Sequence, residues 1–199
     1  MEAVGLSDLA RHEGYIERQI RRWSKQFSDM IVNGDNYDGL VENVGAELGA
    51  TIPEQHGVSI VHGDYRLDNT VIGDDGKVRA ILDWELCTLG DPMADVGVLM
   101  CYWNDGSDPT AIPGVSATSS TGMATKAEVL ARYAETSGRD VSDVGFYTAF
   151  GYWKLACILQ GVYCRYLNGA GAGDSAPVDQ YPAQIRRLAQ TAATALAAR

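Results

Sequence analysis

The sequence predicts an α+β fold that is predominantly helical, with one small sheet containing a β-hairpin. Three observations carry that prediction. Apolar residues recur at steps of three and four along several stretches, the spacing of one face of a helix. Two short β-branched runs flank GDDGK, residues 73–77, as strands flank a hairpin turn. A chain of 199 residues with 46% hydrophobic side chains is long enough for one domain with its own core, taken as residues 1–199.

The elements follow in order. Ile16, Ile20, Trp23, Phe27 and Ile31 form the apolar stripe of a first helix over residues 13–31, while Arg18, Arg21, Arg22 and Lys25 fall on its solvated face. Tyr37, Leu40, Val41, Val44 and Leu48 give a second helix after the turn-forming NGDN. Pro53 closes that region, and the apolar run 58–61 reads as a strand, as does 78–82 beyond the turn. Gly90-Asp91-Pro92 opens a helix to about Tyr102, with Asp91 as N-cap and Pro92 at the first helical position. Residues 104–124 are rich in Gly, Ser, Thr and Pro and read as a long loop of the kind that shapes a binding site. Thr125 and Glu128 fit a capping box that starts a short helix, ended by Gly138. Residues 144–167 read as a buried core helix, because Lys154 and Arg165 interrupt the apolar run that a membrane span would need. GAGAGD, residues 169–174, follows a helix and lacks a P-loop lysine, so it reads as a linker. A last helix covers residues 181–196, and no repeat period emerges.

Composition narrows the function. The net charge of −10 and pI near 4.6 leave no basic stripe for nucleic acid. Cys87, Cys101, Cys157 and Cys164 have no metal-ligand spacing and are expected as buried thiols. The N-terminal MEAVGLSDLARHEGY has neither a basic nor an apolar signal-peptide region, so a cytoplasmic protein is expected, without a membrane partner.

Residues 60–97 concentrate the chemistry. They hold eight acidic residues (Asp64, Asp68, Asp74, Asp75, Asp83, Glu85, Asp91, Asp95) against three basic ones (Arg66, Lys77, Arg79). Asp74 and Asp75 belong to the turn. The others lie at the ends of apolar runs, where strands would deliver them to one edge of a sheet. His62-Gly63-Asp64 follows the first strand, Asn69 comes five residues after Asp64, and Asp83 leaves the second strand nineteen residues after it. Phosphoryl transfer needs a carboxylate to orient and deprotonate a hydroxyl, and oxygen ligands to hold Mg²⁺ against nucleotide phosphates.

The ordered set HGDxxxxN, from His62 to Asn69, and LDWExxxxGDPxxD, from Leu82 to Asp95, resembles the aminoglycoside phosphotransferase and choline kinase-like family. The wording HGDYRLDN…ILDWELCTLGDPMADVG, with RQIRRWSKQ upstream and ILQGVYCRY downstream, is similar to the phosphotransferase-like domains joined to acyl-CoA dehydrogenases, from about Gly5 to the last helix. The resemblance implies a protein-kinase-like C-terminal lobe whose small sheet carries the catalytic loop. It implies ATP and Mg²⁺ as cofactors, Asp64 as catalytic base, and Asn69 and Asp83 as metal ligands. Arg66 would meet the transferred phosphate or pair with Asp68. His62, Asp91 and Asp95 would support the loop rather than touch substrate. The acceptor implied is a small-molecule hydroxyl, a hydroxyacyl-CoA by the subgroup, or an aminoglycoside, sugar or choline. An acyl-CoA dehydrogenase domain is the implied partner.

Kinases also grip ATP with a Gly-rich loop and a strand lysine far upstream of the catalytic loop. Only 61 residues precede His62, and they read as helices. The chain therefore resembles the C-terminal lobe alone, with the N-terminal nucleotide-binding lobe missing. Two functions are compatible with it: the catalytic lobe of an ATP-dependent phosphotransferase, or a non-catalytic binding or scaffold module derived from one.

Overall fold

The structure is a computed structural model and describes residues 5–32, 34, 36–106, 112, 117–169 and 178–199. Among these residues the order is α1 (Tyr15–Asp29), α2 (Leu40–Ala50), β1 (Ser59–Val61), β2 (Thr70–Ile72), β3 (Val78–Ile81), β4 (Thr88–Gly90), α3 (Met93–Tyr102), α4 (Lys126–Ser137), α5 (Val144–Leu167) and α6 (Tyr181–Ala197).

Helix α1 buries Tyr15, Ile16, Ile20, Trp23 and Phe27, the expected stripe up to its end at Asp29. Its outer face carries the pairs Arg21–Glu17 (2.8 Å) and Lys25–Asp29 (2.6 Å), one turn apart. Helix α5 is apolar on all sides, as a helix enclosed by others must be. It buries Phe146, Tyr147, Phe150, Trp153, Ala156 and Cys157, and packs against α1, α2, α3 and α6. Its polar groups are satisfied internally: the Trp153 indole N–H donates to the Val41 carbonyl (2.8 Å), and Gln160 accepts from the Tyr37 hydroxyl (2.5 Å) and donates to the Met30 carbonyl (2.7 Å). Helices α3 and α5 meet through glycine. A Cβ on Gly97 would overlap the Tyr147 backbone, and one on Gly151 would lie 2.7 Å from Cys101 Sγ. This close approach holds α3, whose first turn carries Asp95, against the core.

The strands form two separate two-stranded ladders instead of one sheet. Strand β1 pairs antiparallel with β4, Ile60 opposite Leu89. Strands β2 and β3 form the hairpin, with Thr70 opposite Ile81. The GDDGK turn is as expected: Gly73 N–H donates to Lys77 O (2.9 Å), and Asp75 accepts from the Lys77 amide (3.2 Å) and from Arg79 (2.9 Å).

Helix α3 begins one residue later than expected, at Met93, yet the Asp91 carboxylate accepts the Met93 amide (2.9 Å) and so caps the helix. Helix α4 has both halves of the expected capping box and ends at Gly138 in the left-handed region (φ 69°). Most of the Gly-rich linker, residues 170–174, lies outside the described residues, as do residues 107–111 and 113–116 of the long loop. The loop's ends are pinned by Thr118, whose hydroxyl accepts from the Asn104 amide (2.7 Å) and lies 3.1 Å from its carbonyl. Cys101 and Cys157 are buried, whereas Cys87 and Cys164 are only partly so, which departs from the expectation of four buried thiols. Among the described residues no helix is long and apolar enough to cross a membrane.

Candidate active site

The chain leaves β1 directly into His62-Gly63-Asp64, and the backbone of that loop is gripped by charged groups. Gly63 has φ 86°, and a Cβ there would press on the Leu86 carbonyl oxygen at 3.0 Å, so conformation and space both require glycine. The Asp95 carboxylate, from the first turn of α3, accepts the amides of His62 (2.7 Å) and Gly63 (2.9 Å). From the other side Lys154 of α5 donates to the Gly63 carbonyl at 2.5 Å. Burial pushes the Asp95 carboxyl above the ordinary carboxylate range, against the pull of those two amides. Burial likewise lowers the Lys154 pKa, while Asp95 and Asp64 attract its charge.

His62 is 2% exposed and joins the loop to the strand end before Asp83. Its Nε2 donates to the Leu82 carbonyl (2.7 Å), so Nδ1 is left to accept the Asp64 amide (3.3 Å). The ring centroid lies 4.8 Å from that of Trp84. With both nitrogens committed to the backbone, this histidine orients the loop.

Asn69 and Asp83 reach the site through the hairpin. Thr70 pairs with Ile81, and the Leu82 amide donates to the Asn69 carbonyl (2.8 Å). Asn69 and Asp83 therefore lie at the end of the hairpin opposite its turn. The Asn69 amide nitrogen donates to Asp64 O (2.8 Å) and Asp64 Oδ2 (3.0 Å), which leaves Oδ1 as its free oxygen. Asp83 is exposed and sits at φ 62°, ψ 56°, a conformation that costs a non-glycine residue roughly 1–2 kcal/mol. Among the described residues its carboxylate has no hydrogen-bond or ion-pair partner. Arg66 lies 3.6 Å from Asp64 and 3.5 Å from Asp68, with its guanidinium 4.8 Å over the Tyr102 ring. Its Nε–H is buried without an acceptor.

Asp91 caps α3 as expected, but its further hydrogen bonds go elsewhere than the catalytic loop. It is fully buried, and besides the Met93 amide it accepts from the His56 amide (3.0 Å) and the Tyr147 hydroxyl (2.7 Å). Burial and Asp91 raise the Tyr147 pKa, keeping that hydroxyl a donor. Asp91 thus ties α3 to α5 and to the segment before β1, while Asp95 accepts the hydrogen bonds of the catalytic loop. Lys154 was not singled out from sequence, although a lone lysine in an otherwise apolar helix is rarely buried without a polar partner.

No group of three or more His, Cys, Asp or Glu side chains among the described residues encloses a metal. Asn69 Oδ1 and the Asp83 carboxylate are hard oxygens carried at the same end of the hairpin. That donor set fits Mg²⁺, which keeps several waters and shares nucleotide phosphates.

The profile of the phosphotransferase enzyme family matches residues 1–135. The chain is 34% identical over 181 residues to mouse acyl-CoA dehydrogenase family member 10, covering 88% of this chain and 17% of that protein. To human acyl-CoA dehydrogenase family member 11 it is 30% identical over 188 residues, 87% of this chain and 22% of that one. A crystal structure from Ralstonia eutropha, described as a candidate aminoglycoside phosphotransferase, superposes with TM-score 0.81 at 32% identity, over 99% of this chain and 60% of that one. The chain thus spans about a fifth of the curated relatives it matches. Sequence and fold together establish that this chain belongs to the phosphotransferase enzyme family.

Proposed function

We propose that the chain is the C-terminal lobe of an ATP-dependent phosphotransferase that moves a γ-phosphoryl group to a small-molecule hydroxyl. The observation that carries this reading is the hairpin register, which brings Asn69 and Asp83 to one end of β2–β3 while Asn69 holds Asp64 by two hydrogen bonds. Asp64 would orient the acceptor hydroxyl and take its proton as the new O–P bond forms and the bond to the departing ADP breaks. Asn69 fixes the Asp64 carboxylate and, with Asp83, offers oxygen to Mg²⁺. When bound, Mg²⁺ and ATP supply the electrophilic phosphorus and neutralise charge on the phosphates. Arg66, beside Asp64, offers a cation to the transferred group. Asp95, Lys154 and His62 hold the loop so that Asp64 spends no conformational freedom at the moment of reaction.

The remaining grip on the β- and γ-phosphates comes from an N-terminal lobe outside these residues, a reading supported by the 60% coverage of the solved relative. The curated relatives, named as acyl-CoA dehydrogenase family members, support a longer protein in which this lobe accompanies an acyl-CoA dehydrogenase domain. The alternative reading is a non-catalytic binding or scaffold module derived from such an enzyme. Mn²⁺ titration with ADP, followed by water-proton relaxation, separates the two. The catalytic reading predicts enhancement that Asp83→Ala abolishes, and equal enhancement by both proteins overturns the metal assignment.

A further inference from the structure

A polar cleft of about 250 Å³ lies between α1, α5 and the segment after Asp83, and the catalytic loop reaches it at Gly63. Arg22 and Lys154 bring two cations to it, and Trp23, Gln19 and Thr88 contribute to its lining. Arg22 stacks 5.0 Å from the Trp23 ring centroid and Lys154 lies 5.6 Å from the same ring. Among the described residues neither cation has a carboxylate within ion-pair distance. Arg22 differs in this from Arg21 and Lys25 of the same helix, which pair with Glu17 and Asp29. Lys154 is 4% exposed and spends one hydrogen bond on Gly63, which leaves it donors for another acceptor. Glu85 is the one carboxylate of the lining, set against the two cations.

We propose that this cleft binds an anionic group of the acceptor, so that the substrate is a hydroxyl compound carrying a carboxylate or phosphate rather than a cationic amino alcohol or aminoglycoside. The inference rests on the phosphotransferase reading for the word acceptor, while the anion site itself stands on the cleft. Three features favour an anion. Two unpaired cations face one small space, and charge-assisted hydrogen bonds to carboxylate or phosphate are the natural completion of both. The partly enclosed walls strengthen those bonds relative to water. The cleft meets the loop at Gly63, the residue before Asp64, and this meeting is what ties the anion site to the acceptor. Glu85 can accept the hydrogen of a hydroxyl on the same molecule.

The test is binding without nucleotide, read at the Trp23 indole N–H by nuclear magnetic resonance. That group donates to Gln19 (3.0 Å) within the cleft wall, so it reports locally. The probes are β-hydroxybutyrate, its uncharged methyl ester, inorganic phosphate and choline, added to wild type, Arg22→Gln and Lys25→Gln. Both substitutions are on exposed positions of α1, so folding is not at stake. The expected result is a saturable Trp23 shift with β-hydroxybutyrate, competed by phosphate and not produced by the ester or choline. Arg22→Gln should weaken that binding about tenfold, the loss of one charge-assisted contact, and Lys25→Gln should leave it unchanged. An equal response to the ester, a tighter response to choline, indifference to Arg22→Gln, or no saturable shift overturns the proposal. Anion binding with no phosphoryl transfer in a protein carrying both lobes would overturn the proposed function and keep the site. Transfer to neutral or cationic acceptors, insensitive to Arg22, would do the reverse.

Discussion

Replacing Asp95 should separate the acid that builds the loop from the acids that act in it. The Asp95 carboxylate accepts the His62 and Gly63 amides at 2.7 and 2.9 Å, and both of those residues are buried. Asp95→Ala strands both N–H groups. At about 1–3 kcal/mol for each orphaned buried donor, the loss totals roughly 4 kcal/mol. Against a typical domain stability of about 5–15 kcal/mol, that is a large share. Asp95→Asn keeps one acceptor oxygen and should cost about half as much. Asp83→Ala, at an exposed position without partners, should stay within about 1 kcal/mol of wild type. Urea unfolding followed by tryptophan fluorescence measures all three, with amide exchange at His62 and Gly63 as the local readout. An Asp95→Ala cost below about 1 kcal/mol, or one no larger than that of Asp83→Ala, would refute the claim that Asp95 holds the loop.

Other consequences are open to measurement. Gly97→Ala should destabilise by about 2 kcal/mol or more because its Cβ meets the Tyr147 backbone, whereas Gly49→Ala, with open space around it, should stabilise by up to about 1 kcal/mol; denaturant midpoints in the opposite order would contradict this. The Glu128 carboxyl, held below its ordinary value by the Thr125 amide and hydroxyl, binds its proton less tightly when folded. Its contribution is therefore present above the unfolded pKa and lost as pH falls through the lowered native one. Thr125→Ala should move that titration upward in carboxyl-resolved spectra, and an unmoved midpoint would count against the capping box. Thiol labelling of the native chain should modify Cys87 and Cys164 and spare the buried Cys101 and Cys157, the latter with its pKa raised by burial; four equal rates would contradict the packing of α3 and α5.

Much of the site was legible because its parts are local. His62, Asp64 and Asn69 lie within eight residues, the hairpin is announced by GDDGK, and Thr125–Glu128 is a self-contained signal. What escaped depends on distant partners. The three-residue β4, Thr-Leu-Gly, has no period to betray a strand, and it exists because it pairs with β1 nearly thirty residues earlier. Without it, the strand before His62 seemed to belong to the hairpin sheet. Asp91 read correctly as a cap, but its second oxygen goes to Tyr147, 56 residues away, which no local pattern encodes. Lys154 carried a usable sign, a charge inside an apolar helix, without indicating that its target was Gly63. Arg22 carried one as well: the positions three and four residues away are Gln19, Lys25, Arg18 and Gln26, so no acid on its own helix can neutralise it.

Transfer of the γ-phosphoryl group of ATP to hydroxylated acceptors tests the central assignment most directly. The measurement uses this chain alone and the chain joined to a nucleotide-binding lobe, each with native Asp64 and with Asp64→Asn. The account predicts little turnover by the chain alone, turnover when both lobes are present, and a loss of about 10²-fold or more on Asp64→Asn, the typical contribution of a positioned general base. Unchanged turnover by the two-lobed Asp64→Asn protein would contradict it.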